Sequence, residues 1–177
     1  GKDFYENSEA ARSFFDQAQK ILDFDLKEMC FGEHEELNLT EYTQPCMVSV
    51  CLAIVQELKK RGITPDITAG LSLGEYAAVA AAGGMNELDA IKLVRRRGIL
   101  MQSTVPAGEG AMAAVLGLDA KKIEEILESF ENVWIANYNC PGQIVITGLT
   151  NEVQQASLAL KEAGAKRVVE LKVSGPF

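Results

Sequence analysis

The apolar positions of "NSEAARSFFDQAQKIL" recur at helical spacing: Ala11, Phe14, Phe15 and Ala18 share one face, and Ser8 is placed to cap the start. The polar stretch "FGEHEELNLTEYTQP" reads as a connection into a long helix over about Thr43 to Lys60. There Met47, Val50, Cys51, Ile54, Val55 and Leu58 recur at three and four and predict the apolar face, and Gly62 stops the helix. "ITPDITAGLS" reads as a turn at Pro65 followed by a short buried strand. "GEYAAVAAAGG" predicts a small-residue helix that packs closely and ends at Gly83 and Gly84. "NELDAIKLVRRRGILMQSTV" predicts another, capped by Asn86.

From about Gly110 the texture changes. "GAMAAVLGL", "VWIANYN", "GQIVITG" and "KRVVELKV" predict strands, and "DAKKIEEILESF" and "TNEVQQASLALKEAG" predict helices. The order β-α-β-β-α-β is the ferredoxin-like split pattern. The preceding hundred or so residues have an α/β texture, helices leading into a strand, a turn and a helix. Two subdomains are expected, with a boundary near Val105 to Gly110, where "VPAGEG" supplies turn residues. The polar helix at the start and the strand running into "SGPF" at the end predict an incomplete chain.

Composition narrows the class. The 177 residues are 47% apolar and 24% charged, the proportions of one or two soluble domains able to bury roughly 70% of the unfolded surface. A net charge of −8 excludes general nucleic-acid binding, which needs a basic surface. No apolar run approaches the roughly 20 residues of a membrane span, and no signal peptide is evident, so a cytoplasmic protein is expected. Cys30, Cys46, Cys51 and Cys140 form no CxxC pair and have no ligand histidines nearby, so they read as reduced thiols and no metal is expected.

The candidate chemistry sits in Gly70-Leu71-Ser72-Leu73-Gly74. Glycines two before and two after a serine remove side chains that would clash where a strand doubles back into a helix, the geometry of a nucleophile elbow. Helix-start amides, including that of Leu73, would then face an oxyanion on an attacked carbonyl. A serine capping a helix is the plain alternative. A serine nucleophile needs a base, and the one histidine, His34, lies among Glu33, Glu35 and Glu36 as a solvated loop residue. Either Ser72 is therefore not catalytic, or its partner lies outside these residues.

Arg95, Arg96 and Arg97 lie on the following helix. Arg96 shares its face with Asp89, Lys92 and Ser103 and should be solvated. Arg97 shares a stripe with Ala90, Leu93, Leu100 and Met101, and Arg95 lies near Leu88, Ile91 and Ile99; periodicity does not choose between them. Either guanidinium, held against apolar surroundings beside a serine nucleophile, favours a substrate with a free carboxylate, a dicarboxylic thioester or ester.

"LNLTEYTQP", "AGLSLGEYAAVAAAG", "AIKLVRRRGILMQ", "VPAGEGAMAAVLGL", "NYNCPGQIVITG" and "AGAKRVVELKVSGPF" together resemble bacterial malonyl-CoA:acyl-carrier-protein transacylases, from about Lys2 to Phe177. The resemblance implies an α/β fold: a partial hydrolase-like acyltransferase subdomain over 1–107, an inserted ferredoxin-like subdomain over 108–173, and a return to the first over 174–177. It implies that Ser72 becomes malonylated, that the Leu73 amide forms half of the oxyanion hole, and that Arg97, not Arg95, pairs with the malonyl carboxylate. Asn137 and Asn139 match residues lining the cleft. Malonyl-CoA is the implied substrate, a phosphopantetheinyl acyl carrier protein the implied acceptor, no cofactor is implied, and the intact enzyme is expected to be a monomer.

The family's Gly-Gln-Gly-x-Gln loop would precede Gly1, and its catalytic histidine would directly follow Phe177, so this piece is expected to turn over weakly or not at all. Leu71 stands where many members carry a histidine. An esterase or thioesterase with the same elbow is a rival reading, and a vestigial carrier-binding fragment is another. Basic candidates for carrier docking are Lys166, Arg167 and Lys172, or Lys59 to Arg61.

Overall fold

The computed structural model describes residues 1–104, 108–171, 173 and 175–177. It divides into two units, Gly1–Leu100 and Met101–Phe177. The expected boundary at Val105 to Gly110 falls partly on residues outside the described ones.

The first unit contains α1 (Lys2–Asn7), α2 (Glu9–Gln19), α3 (Leu26–Phe31), a short 3-10 helix (Glu35–Asn38), α4 (Thr40–Lys60) and α5 (Leu73–Ala81), and the start of α6 (Glu87–Thr104). Ser8 caps α2, its hydroxyl accepting from the Ala11 N–H, and the face of Ala11, Phe14, Phe15 and Ala18 is buried as the spacing predicts. Asn86 caps α6, accepting from the N–H groups of Leu88 and Asp89. Helix α3, which Asp25 caps through the Lys27 and Glu28 N–H groups, precedes the polar connection, and the connection itself holds the 3-10 helix and the first turn of α4. Phe15, Leu26, Val48, Leu52, Ile91 and Val94 form the core.

Three expectations for this unit change. The buried face of α4 carries Gln44, Pro45, Cys46, Val48, Ser49, Leu52 and Ala53, while Met47 is 53% exposed and Cys51 and Leu58 are also exposed. This helix is apolar on both sides, so spacing alone fits either one. Its other side, with Cys51, Val55 and Leu58, lines an open groove of 460 Å³ together with Ile63, Pro65 and Ala78. Next, Ile67 to Gly70 form no strand, and Ile67 is 88% exposed. A strand requires a hydrogen-bonded neighbour, and the described residues of this unit contain none. Finally, of the small-residue helix α5 only Ala80 is buried.

The second unit follows the expected order: β1 (Gly110–Leu116), α7 (Ala120–Leu127), β2 (Val133–Cys140), β3 (Gln143–Leu149), α8 (Thr150–Glu162) and β4 (Arg167–Glu170). The strands form one antiparallel sheet in the order β2-β3-β1-β4. Period-two alternation sorts its faces. Ala113, Val115, Ile144 and Ile146 pack on Ile123, Val153 and Leu160 of the helices, while Met112, Ala114 and Val145 face the other way. Lys172 and Ser174, in the stretch after β4, lie outside the described residues.

Candidate active site

Ser72 stands where the extended segment meets α5, at φ 52° and ψ −100°, the only positive-φ residue other than glycine among the described residues. A serine gains nothing sterically there, and such a backbone costs on the order of 1–3 kcal/mol. The turn is held by the Ser72 N–H donating to Glu75 Oε1 at 2.9 Å and the Gly74 N–H to the Leu71 carbonyl at 2.9 Å. Thr68 Oγ1 ties the incoming segment to the Ala78 carbonyl at 2.9 Å. The bend thus exists without the predicted strand, and Ser72 is exposed at its apex.

The two glycines play unequal parts. A Cβ on Gly70 would lie 2.2 Å from the backbone C and O of Gly74, so only glycine fits. A Cβ on Gly74 would meet nothing within 4 Å among the described residues. The expectation that both relieve a clash therefore holds for Gly70 alone. The Leu73 N–H, the first of α5, has no acceptor among the described residues, as helix geometry leaves it.

The arginine triplet separates by partner. Arg96 is exposed. Arg95 donates to both Asp23 oxygens at 2.9 and 2.8 Å and to Glu41 Oε2 at 3.0 Å, with Phe24 and Tyr42 rings 5.2 and 4.8 Å from its Cζ. It also donates to the Glu41 carbonyl at 2.8 Å. That carbonyl is the one Pro45, lacking an N–H, leaves without its i+4 donor inside α4. The hydrogen bond to Arg95 holds the Asp23 carboxyl below the usual carboxylate range. Arg95 is thus consumed in joining α6 to α4.

Arg97 is half-buried and, among the described residues, takes no carboxylate. Its Nη2 donates to Ser72 Oγ at 2.8 Å, its Nη1 to Gln44 Oε1 at 2.6 Å, and its Cζ lies 5.7 Å from the Tyr76 ring centroid. Of the apolar stripe expected beside it Ala90 is buried, whereas Leu93 and Leu100 are 47% and 51% exposed. Beside Ala90, helix α6 buries Ile91, Val94 and Gly98, with Gly98 so close to Thr40 and Glu41 that a Cβ would lie 2.6 Å from the Glu41 Cα. Gln44 was not singled out from sequence. Its signal is a polar residue heading the buried i, i+4, i+8 series Gln44, Val48, Leu52.

His34 pairs with Glu28 at 3.1 Å rather than with Ser72. Asn137 and Asn139 belong to the second unit, on β2; Asn137 is half-buried opposite Val145, and Asn139 is exposed at a register shift. Lys59, Lys60 and Arg61, one of the two basic candidates, pair with Glu87, Glu9 and Glu57. Lys166 and Arg167 are exposed. All four thiols are free, and no group among the described residues could hold a metal ion. No helix is long and apolar enough to cross a membrane among the described residues.

Residues 1–175 match the acyl transferase domain family. The malonyl CoA-acyl carrier protein transacylase of Bacillus subtilis (strain 168) is 48% identical over 182 residues, covering 100% of this chain and 57% of its own length. The protein of the same name from Staphylococcus aureus (strain MSSA476) is 43% identical over 99% of this chain and 58% of its own. Among solved structures, the malonyl CoA-acyl carrier protein transacylase of Clostridium perfringens superposes with a TM-score of 0.92 at 42% identity, over 100% of this chain and 57% of that one. A malonyl-transacylase in complex with a type II polyketide-synthase acyl-carrier protein superposes with a TM-score of 0.89 at 40% identity, over 94% of this chain and 56% of that one. The chain therefore spans little more than half the length of these relatives.

Proposed function

Since the chain belongs to the acyl transferase domain family, we propose that the whole protein moves a malonyl group from malonyl-CoA to the phosphopantetheine thiol of an acyl carrier protein, through a malonyl ester on Ser72. The observation that carries this reading is the exposed, strained Ser72 with the Arg97 guanidinium 2.8 Å from its Oγ and, among the described residues, no carboxylate on that guanidinium. A half-buried cation without an anion is costly, and a planar fork beside a nucleophile suits a substrate carboxylate.

In the first half-reaction Ser72 Oγ attacks the thioester carbonyl and loses its proton to a base, which the family resemblance assigns to a histidine directly after Phe177. The Leu73 N–H stabilises the tetrahedral oxyanion; a donor of this kind is worth about 3 kcal/mol of barrier. The C–S bond breaks, and coenzyme A leaves as its thiol with the proton returned by the base. In the second half the carrier's thiol attacks the ester, its proton passes to the Ser72 oxygen, and the malonyl thioester departs. No cofactor enters either half.

Finer parts of the reading follow. The second unit is a ferredoxin-like insertion over 108–173, in a partial hydrolase-like domain made of 1–107 and resumed at 174–177; the β-α-β-β-α-β order and the sheet order β2-β3-β1-β4 support it. Asn137 and Asn139 line the acyl cleft. Lys166 and Arg167 receive an acidic carrier, the pairing of Lys59 to Arg61 with carboxylates speaking against the other candidate. The enzyme works as a cytoplasmic monomer.

The test is an assay of full-length protein with malonyl-CoA, with and without carrier. Malonyl-carrier formation that outpaces free malonate supports transfer. Steady malonate release that ignores the carrier would make the protein a thioesterase.

A further inference from the structure

We propose that Gln44 is a positioning residue for Arg97, setting the edge that the guanidinium turns toward Ser72; the proposal rests on the reading of Arg97 as the group that binds the substrate carboxylate. Gln44 is 3% exposed, a polar side chain at the head of the buried face of α4. Its Nε2 donates to Thr40 Oγ1 at 2.8 Å, one helical turn earlier. That bond fixes the amide, because its donor end is committed to Thr40 and its Oε1 must point away. Oε1 accepts from Arg97 Nη1 at 2.6 Å, and Arg97 Nη2 is thereby aimed at Ser72 Oγ at 2.8 Å. With the Tyr76 ring 5.7 Å from Cζ, the planar group is held at one nitrogen and beside one aromatic ring.

The chemistry of the partner matters as much as its position. Two residues earlier on the same helix, Arg95 is held by the carboxylates of Asp23 and Glu41, which cancel its charge. Gln44 holds Arg97 through a neutral oxygen, so the guanidinium is oriented and its positive charge is left for a ligand. A carboxylate at position 44 would orient the group equally well and compete with the substrate for it. An apolar residue would leave the charge and free its direction, and bidentate recognition depends on direction.

Full-length Gln44→Met, Gln44→Glu and Arg97→Ala proteins test this through kcat and KM for serine loading from malonyl-CoA and from acetyl-CoA. A hydrogen bond to a charged group corresponds to about a tenfold effect or more. Gln44→Met should lower the malonyl-over-acetyl ratio of kcat/KM about tenfold, chiefly through the KM for malonyl-CoA. Gln44→Glu should lower it at least as far, and recover part of the loss as the pH falls toward the carboxylate range. The proposal is overturned if both variants keep the parent ratio, or if malonyl and acetyl loading fall by the same factor, as a purely structural role would dictate. If Arg97→Ala itself keeps the parent ratio, the reading of Arg97 fails; if Arg97→Ala loses it and both Gln44 variants keep it, the role of Gln44 alone fails.

Discussion

The guanidinium of Arg97 and the hydroxyl of Ser72 meet across 2.8 Å, Nη2 donating to Oγ. The nucleophile and the anion receptor are thus each other's hydrogen-bond partners. A ligand carboxylate is the stronger acceptor, since it bears a negative charge and can take two guanidinium N–H groups bidentately where the hydroxyl takes one. Its arrival would draw the guanidinium away and return a lone pair to Oγ.

That exchange makes the arginine selective in both directions. In full-length Arg97→Ala, kcat/KM for malonyl loading should fall roughly 10- to 100-fold, the value of a hydrogen bond to a charged group or somewhat more. Acetyl loading, which gains nothing from the cation, should hold or rise. Quench-flow measurement of acyl-enzyme from both thioesters checks this, and an unchanged preference for malonyl would remove the assignment.

Gly70 and Gly74 should respond differently to alanine. The Cβ of Gly70→Ala would lie 2.2 Å from the backbone C and O of Gly74, which cannot move without unmaking the turn. A cost of about 3 kcal/mol and loss of loading are expected. Gly74→Ala places its Cβ where nothing lies within 4 Å among the described residues, and alanine favours the helix by about 0.5–1 kcal/mol over glycine. Melting temperatures of the two variants should therefore fall on opposite sides of the parent, or at least in that order.

Arg95→Leu should destabilise the protein by about 2 kcal/mol at neutral pH, because it strips donors from the Glu41 carbonyl and from two carboxylates. Much of the Asp23 share is screened, its side chain being 65% exposed. The pH dependence has a definite sign. Asp23 is depressed in the folded state, so its contribution is complete above about pH 4 and is lost as the pH falls through the lower folded value. The gap in denaturation midpoint between parent and variant should shrink on acidification below pH 4 or so, and a gap that widens there would contradict the pairing.

Charge reversal should distinguish the two basic stretches. Lys166→Glu with Arg167→Glu should raise the KM for an acidic carrier and flatten its salt dependence, as loss of steering charges does. The same reversal at Lys60, already paired with Glu9, should change carrier KM little. Carrier titrations at two ionic strengths read both effects.

How far the chain could be read from its letters differs by element. In α2 and the β-α-β-β-α-β segment one face is apolar and the other polar, so period and burial coincide, as with Phe14, Phe15 and Ala18. Helix α4 has two apolar sides, and Met47 and Leu58 fit helical spacing as well as Val48 and Leu52 do. Ile67 has the composition of a strand, but pairing is a property of a neighbour and not of a segment. The choice between Arg95 and Arg97 depended on partners distant in sequence: Asp23 and Glu41 for one, Gln44 and Ser72 for the other. The elbow was legible because Gly70 answers a local demand: the backbone four residues on lies 2.2 Å from where a Cβ would stand.

The central claim is that Ser72 carries the malonyl group. Peptide mass spectrometry of full-length protein quenched after exposure to malonyl-CoA tests it directly. The account predicts the mass of one malonyl group on the peptide containing Ser72, removed on addition of carrier protein and absent from Ser72→Ala. Malonyl found on another residue, or persisting in Ser72→Ala, would contradict it.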